Sequence, residues 1–171
     1  LPQASLALVE LFAGLRTAHV AANIEGYKVA VSLSSEIDPF AEELGKVRQP
    51  DSDNLGDVTK ITGAMIKKCV QAAYTLGVQL ILLVAGFPCK GPSRIRTTGG
   101  RAAPNLNDKQ SKLFYEIPRI RDELRRALWE CKPPDKKELP FRLIVENVII
   151  KDKPTAQEVS DKLGCSPLRI E

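Results

Sequence analysis

The residues in this chain most suited to covalent chemistry are Gly86-Phe87-Pro88-Cys89, which follow the apolar run Leu80–Val84. That run has no polar alternation, which predicts a strand buried on both faces, as in a parallel sheet. The loop after such a strand opens at the carboxyl end of the sheet, where open α/β folds bind ligands. Pro88 stiffens the backbone, so Cys89 is a candidate nucleophile if nearby positive charge favours its thiolate. The alternative is that Cys89 is a small buried hydrophobic residue.

A glycine turn and two carboxylates follow other predicted strands. Gly14 lies in the turn between the first apolar strand and a helix that Thr17 caps. A glycine there lets a ligand approach the backbone, although the dinucleotide fingerprint GxGxxG is not met. Glu36 and Asp57 come after the next two predicted strands, and a carboxylate in the position of Glu36 can accept hydrogen bonds from ribose hydroxyls. The alternative for Glu36 is a solvated loop carboxylate.

Predicted strands and helices alternate along the chain. Asp38 and Pro39 begin one helix, and Thr62 caps another over roughly Gly63–Leu76, with Cys69 on its apolar stripe. The later predicted elements are a long loop over 92–108, a helix from about Asp108 to Glu130 bent at Pro118, a strand over Phe141–Val145, and a helix that Thr155 caps and Gly164 ends. This alternation predicts an α/β fold with a mainly parallel sheet and flanking helices.

Size and composition limit the class of protein. The chain has 171 residues, 43% of them hydrophobic and 27% charged, as is typical of one globular domain. No apolar run approaches the ~20 residues of a membrane span, so we expect no membrane partner. The 4 cysteines form no CxxC pair and there is 1 histidine, so we expect no metal site. Unpaired thiols indicate a reducing, intracellular setting.

Positive charge is concentrated in the second half of the chain. Up to Gly86 there are 7 Lys and Arg residues against 9 Asp and Glu residues, and from Phe87 onward there are 18 against 12. The excess lies mostly in Lys90–Arg126, next to Cys89, and favours a polyanionic partner near the candidate site. The alternative is a surface helix that is rich in basic residues for solubility.

Several short motifs occur in a fixed order, each at the predicted end of a strand. They are Leu11-Phe12-Ala13-Gly14, Glu36, Gly56-Asp57-Val58, Gly86-Phe87-Pro88-Cys89 and Glu146-Asn147-Val148. In order and spacing this set resembles the DNA cytosine-5 methyltransferases. The stretches Gly56–Thr62 and Ser111–Glu116 resemble the eukaryotic de novo branch of that family most.

The resemblance implies a Rossmann-like S-adenosylmethionine-dependent methyltransferase fold, with residues 1–171 as a single domain that binds cofactor and catalyses. It implies that S-adenosyl-L-methionine is bound by Phe12, Gly14, Leu15, Glu36, Asp57, Val58, Pro88 and Leu113. It also implies that Cys89 is the nucleophile and that Glu146 and Asn147 face a cytosine flipped out of DNA. We expect the basic loop after Cys89 to contact phosphates through Lys90, Arg94, Arg96 and Arg101.

The chain departs from the family pattern at Ala13, at Lys90, and at Arg16, an unexpected cation in the cofactor turn. The later motifs of the family, including its target-recognition region, are not found before Glu171. We therefore expect either a fragment of a longer protein or a chain that needs a homo- or hetero-oligomeric partner.

The leading hypothesis is the transfer of a methyl group to carbon 5 of cytosine in DNA by an intracellular, nuclear protein. One alternative is the same reaction on transfer RNA, because one branch of the family uses these motifs on RNA. Another is a catalytically silent regulatory subunit, against which the presence of both Cys89 and Glu146 argues. A nicotinamide-dependent dehydrogenase is disfavoured because two glycines of its fingerprint are missing.

Overall fold

The fold is taken from a computed structural model, which describes residues 3–88, 106, 111–147, 150 and 152–168. Five strands in these ranges form one sheet: β1 (Ser5–Leu11), β2 (Lys28–Ser35), β3 (Asp53–Asn54), β4 (Leu80–Gly86) and β5 (Phe141–Glu146). The strands are paired in the order β3-β2-β1-β4-β5, and every pairing is parallel. The predicted α/β fold with a parallel sheet is therefore confirmed.

Within the same described ranges, five α-helices lie between or after the strands: α1 (Thr17–Ile24), α2 (Pro39–Arg48), α3 (Gly63–Thr75), α4 (Glu116–Cys131) and α5 (Lys153–Leu163). Short 3₁₀ helices cover Val58–Lys60 and Ser111–Tyr115. The predicted caps of α2 and α3 are confirmed, since the Asp38 carboxylate accepts from the Phe40 and Ala41 N–H groups and Thr62 accepts from that of Met65.

The apolar residues of β1 divide between two cores, because successive side chains of a strand point to opposite faces. Ala7, Val9 and Leu11 belong to the larger core, in which α3 and α4 cover the sheet. Leu6 and Leu8 belong to a smaller core on the other face, together with Ala22 of α1. Cys69 is buried in the larger core, as its place on the apolar stripe predicts.

Three local predictions are wrong. The position before α1 is taken by Arg16, not Thr17, and the Glu10 carboxylate of β1 accepts from the Ala18 N–H at 3.0 Å. The predicted helix over Asp108–Glu130 is not continuous in its described part, from Ser111 onward: a 3₁₀ helix precedes α4, so Pro118 falls in the first turn of α4, where its missing N–H costs little. Asp152, not Thr155, caps α5. Gly164 ends α5 with φ of 71°, as predicted.

Candidate active site

The turn between β1 and α1 is wound tightly. Phe12, Gly14 and Arg16 have φ values of 57°, 51° and 56°, which places all three in the left-handed region. That conformation is natural for glycine but strained by about 1–2 kcal/mol for a residue with a side chain. An atom added as Cβ at Gly14 would have nothing within 4 Å, so the turn is open to an approaching ligand.

Glu36 is bound to this turn by its carboxylate. Its Oε2 accepts from the Gly14 N–H at 2.7 Å, and its Oε1 accepts from the N–H groups of Ile37 and Asp38 at 2.8 Å each. A carboxylate offers about four acceptor sites, and three are used here, which leaves room for about one further donor. Glu36 thus follows β2 as predicted, and it lies beside the turn that follows β1.

Asn54 joins the second and third strand ends, and sequence reasoning did not select it. Its Oδ1 accepts from the N–H groups of Glu36 and Gly56 at 3.0 Å each, and its Nδ2 donates to the Glu36 carbonyl at 3.0 Å. The available signal was an asparagine two residues before a glycine in a turn, where an amide side chain can bond the backbone. Asn54 holds the backbone of Glu36 in place.

Asp57 follows β3 with one carboxylate oxygen engaged. Its Oδ1 accepts from the Thr59 N–H at 3.0 Å and from the Thr59 hydroxyl at 2.8 Å. These hydrogen bonds hold the pKa of the Asp57 carboxyl below its usual value, so the group is ionised at neutral pH. Among the described residues Oδ2 has no partner. The next side chain, Val58, is buried in the core, so only the backbone of Val58 can face a ligand.

The second half of the site lies at the ends of β4 and β5. Gly86 is the register partner of Glu146, and an atom added as Cβ at Gly86 would lie 3.3 Å from Glu146 Oε2. The Glu146 carboxylate therefore lies over the backbone that leads to Pro88, and Glu146 is exposed. Asn147 Nδ2 donates to the Phe87 carbonyl at 2.8 Å, which ties the two loops together. Asn147 Oδ1 is buried and has no partner among the described residues.

Aromatic residues support the β4 loop from the core. The Phe87 ring lies 5.2 Å from that of Phe114, which in turn lies 5.5 Å from that of Tyr115. Leu113 is half-buried in the same 3₁₀ helix. The Tyr115 hydroxyl donates to Glu158 of α5, so the final helix braces this cluster.

The structure thus brings together most of the predicted site residues that it describes. Phe12, Gly14, Leu15, Glu36, Asp57 and Val58 follow the adjacent strands β1, β2 and β3, and Pro88, Glu146 and Asn147 lie at the ends of β4 and β5 on the same edge of the sheet. The predictions for Cys89, Lys90, Arg94, Arg96 and Arg101 lie outside the described residues. The roles of all these residues remain predictions.

Comparison with known proteins identifies the family. A family model described as C-5 cytosine-specific DNA methylase matches residues 6–151. The chain belongs to the C-5 cytosine-specific DNA methylase family. The cofactor of this family, S-adenosyl-L-methionine, is the one expected from the sequence.

Solved structures show that the methylase fold extends over nearly the whole chain. The S. pombe Dnmt2 methyltransferase is 18% identical with a TM-score of 0.55, and a triple mutant of Spodoptera frugiperda DNMT2 is 21% identical with a TM-score of 0.57. Each comparison covers 94% of this chain but 40% of the solved one, so this chain spans well under half the length of those proteins. No curated protein sequence matches it.

The described residues of the methylase domain fit S-adenosyl-L-methionine. The open turn at Gly14 admits a ligand to the backbone, Glu36 has an acceptor site left for a ribose hydroxyl, and Asp57 Oδ2 can accept from an adenine amine. Within these residues no cluster of side chains could hold a metal ion, and no helix is long and apolar enough to cross a membrane.

Arg16, the unexpected cation of the turn, is directed toward α2. Its guanidinium is fully buried, pairs with Glu42 of α2 at 2.8 Å and donates to the Gln49 carbonyl at 2.8 Å. Gly45 makes room for it, since a Cβ there would lie 3.0 Å from Arg16 Nε. Arg16 therefore joins the turn between β1 and α1 to α2.

Proposed function

We propose that this chain is the cofactor-binding and catalytic part of a methyltransferase that modifies carbon 5 of cytosine in DNA. The observation that carries the proposal is the register pairing of Gly86 with Glu146. This pairing puts the Glu146 carboxylate beside Gly86, three residues before Cys89 in the sequence. Glu36 and Asp57 lie on the same edge of the sheet.

Carbon 5 of cytosine is too weak a nucleophile to take a methyl group unaided, so the reaction needs a nucleophile from the protein to activate the ring. The Cys89 thiolate adds to carbon 6, and the π electrons of the ring shift so that carbon 5 becomes nucleophilic. Glu146 accepts from the exocyclic amine and, when protonated, donates to the ring nitrogen, which stabilises the charge that develops there. The bound S-adenosyl-L-methionine supplies an electrophilic methyl group. After carbon 5 has taken the methyl group and left the cofactor sulfur as a neutral thioether, water takes the proton of carbon 5. The electrons of that C–H bond re-form the carbon 5–carbon 6 double bond as the carbon 6–sulfur bond breaks, which releases the Cys89 thiolate and restores the aromatic ring.

The described residues have distinct parts in this scheme. Glu36 and Asp57 bind the nucleoside part of the cofactor. The backbone of the turn at Gly14 contacts the cofactor directly, because no side chain stands between them. Asn147 positions the reacting loop through the Phe87 carbonyl rather than by chemistry of its own. A cytosine can reach Glu146 only outside the stacked duplex, at a cost of a few kcal/mol, and the basic residues after Cys89 are placed in sequence to contact its phosphates.

A trapping assay tests the proposal. The protein is incubated with labelled S-adenosyl-L-methionine and a duplex that contains 5-fluorocytosine, which has no proton to lose at carbon 5. We expect a labelled covalent adduct that is lost in Cys89→Ser and retained in the control Cys165→Ser, since Cys165 is an exposed cysteine on the loop after α5.

Binding of the cofactor is measured separately by calorimetry. Glu36→Ala and Asp57→Ala should each weaken binding, whereas Glu25→Ala, which alters an exposed carboxylate after α1, should not. An adduct on transfer RNA but not on DNA would show that the substrate is RNA rather than DNA. Cofactor binding with no adduct on either nucleic acid would favour a silent regulatory subunit, and unchanged binding in Glu36→Ala would overturn its assignment.

A further inference from the structure

Helix α2 exposes an apolar stripe. Phe40, Leu44 and Val47 are 76%, 55% and 78% exposed, and Ile37, just before the helix, is 73% exposed. Helices that flank a sheet usually bury such a stripe against it. Here the three helical residues follow one another at spacings of four and three, which places them along one line of the helix surface.

The inward face of α2 is polar instead. It contacts Arg16 through the Glu42 carboxylate, through the backbone of Gly45 and through the carbonyl of Gln49 just after the helix. An ion pair and a close backbone contact thus hold α2 in place, and the apolar stripe takes no part in this. Four large apolar side chains in water at one surface indicate a protein interface.

The charged residues beside the apolar stripe indicate which partner covers it. Spacings of four and three are those of a coiled-coil seam, in which Phe40, Leu44 and Val47 take positions d, a and d. Glu43 then takes position g and Arg48 takes position e of the next heptad, and both are exposed. In the described residues neither forms an ion pair.

We infer that two copies of this chain associate through α2, with the two helices parallel. In a parallel pair the g residue of one helix faces the following e residue of the other, so Glu43 of each copy meets Arg48 of its partner, which gives two ion pairs related by the two-fold axis. In an antiparallel pair the same flanks would meet, Glu43 against Glu43 and Arg48 against Arg48. Charge therefore favours the parallel arrangement.

The seam is short, and this determines the strength of the dimer. A standard stable interface uses about 20–30 residues from each partner, several times more than the stripe and its flanking charges provide. We expect a reversible dimer that forms at high protein concentration, in the range of about 0.1–1 mM. This inference does not depend on the proposed activity, because no residue of the seam belongs to the candidate active site.

Sedimentation equilibrium of the whole chain tests the association. The parent protein should show a monomer–dimer equilibrium that Leu44→Ser abolishes and the matched control Leu76→Ser, at an exposed leucine after α3, leaves unchanged. Glu43→Arg and Arg48→Glu should each weaken the dimer by about tenfold, because attraction becomes repulsion in both symmetric pairs. The two changes together should restore it. A parent protein that stays monomeric to about 1 mM, or a double variant no better than the single ones, overturns the inference.

Cysteine cross-linking tests the direction of the helices. In a Cys165→Ser background, Val47→Cys should form a covalent dimer on mild oxidation because identical positions meet in a parallel pair. The background protein without the new cysteine shows how much cross-linking the native thiols give. A cross-link that forms between Phe40→Cys and Val47→Cys chains, but not between two Val47→Cys chains, would show an antiparallel pair and would overturn the parallel arrangement.

Discussion

Glu10 should make the stability of this protein depend on pH in a direction unusual for a carboxylate. The side chain lies in β1, is 3% exposed, and has one oxygen, Oε2, that is buried without a partner among the described residues. Burial raises the pKa of Glu10 from its ordinary value of 4.5 to about 7, although the N–H groups of Ala18 and His19 and the charge of Arg16 act to lower it.

The direction of this pH dependence follows from the number of protons that the folded and unfolded states bind. Between pH 4.5 and about 7 the folded protein keeps a proton on Glu10 that the unfolded chain has released. The contribution of Glu10 to the free energy of unfolding is therefore greatest below pH 4.5 and falls as the pH rises to about 7. At ~1.4 kcal/mol per pH unit, the whole loss is ~3 kcal/mol.

Glu10→Gln removes this titration, and urea unfolding followed by circular dichroism between pH 4.5 and 8 measures the effect. The neutral amide can still accept from the Ala18 N–H, while its new N–H₂ group adds a cost of about 1–3 kcal/mol that does not vary with pH. The difference in free energy of unfolding, variant minus parent, should thus increase by ~3 kcal/mol as the pH rises through this window.

Two comparisons make the result decisive. The pKa of His19 is lowered by burial and by the charge of Arg16, so its own contribution has the opposite sign, but it is common to both proteins and cancels in the difference. Glu25→Gln, at an exposed carboxylate, should leave the pH profile unchanged. Parallel profiles for Glu10→Gln and the parent would refute the reasoning, because they would show that Glu10 ionises equally in the folded and unfolded states.

Three further substitutions address contacts that support the site. Arg119→Lys should weaken cofactor binding several-fold in calorimetry. The Arg119 guanidinium holds the turn after Asp57 by donating to the carbonyls of Val58 and Ile61, each at 2.9 Å, and an ammonium group cannot make both hydrogen bonds. Gly86→Ala should slow adduct formation without loss of cofactor binding, because its Cβ would push the Glu146 carboxylate aside. Arg16→Met should lower the free energy of unfolding by about 3 kcal/mol, measured in urea, because the partly buried Glu42 carboxylate keeps only the exposed Lys46, at 3.6 Å, as its ion-pair partner.

Each of these has its own contradicting outcome. Equal cofactor affinity in Arg119→Lys and in Arg126→Lys, an exposed control on the same helix, would show that the turn needs no support from α4. Full adduct formation in Gly86→Ala would mean that Glu146 acts from another position. A stable Arg16→Met would mean that α2 is held by contacts other than the ion pair.

Much of the local structure was predictable because its causes are local. The apolar run at Leu80–Val84 gives a buried parallel strand, and Asp38 followed by Pro39 begins α2, since cap and proline act on their own helical turn. The placement of Glu36 and Asp57 after strands followed from the same patterns. Where predictions of caps were wrong, at Thr17 and Thr155, a carboxylate supplied by a neighbouring residue or strand took the place of the hydroxyl.

The sequence by itself determined the alternation of strands and helices and the placement of Glu36, Asp57 and Glu146 at the ends of strands. Only the tertiary structure decided which ends are neighbours and which groups they present: Glu36 on the Gly14 N–H, Glu146 over Gly86, and Arg16 turned toward α2. These contacts join residues 22 to 60 positions apart in the chain. A local sequence pattern cannot predict such distant partners. Strand order and register create them, because they are set by the burial of the whole sheet rather than by any one segment.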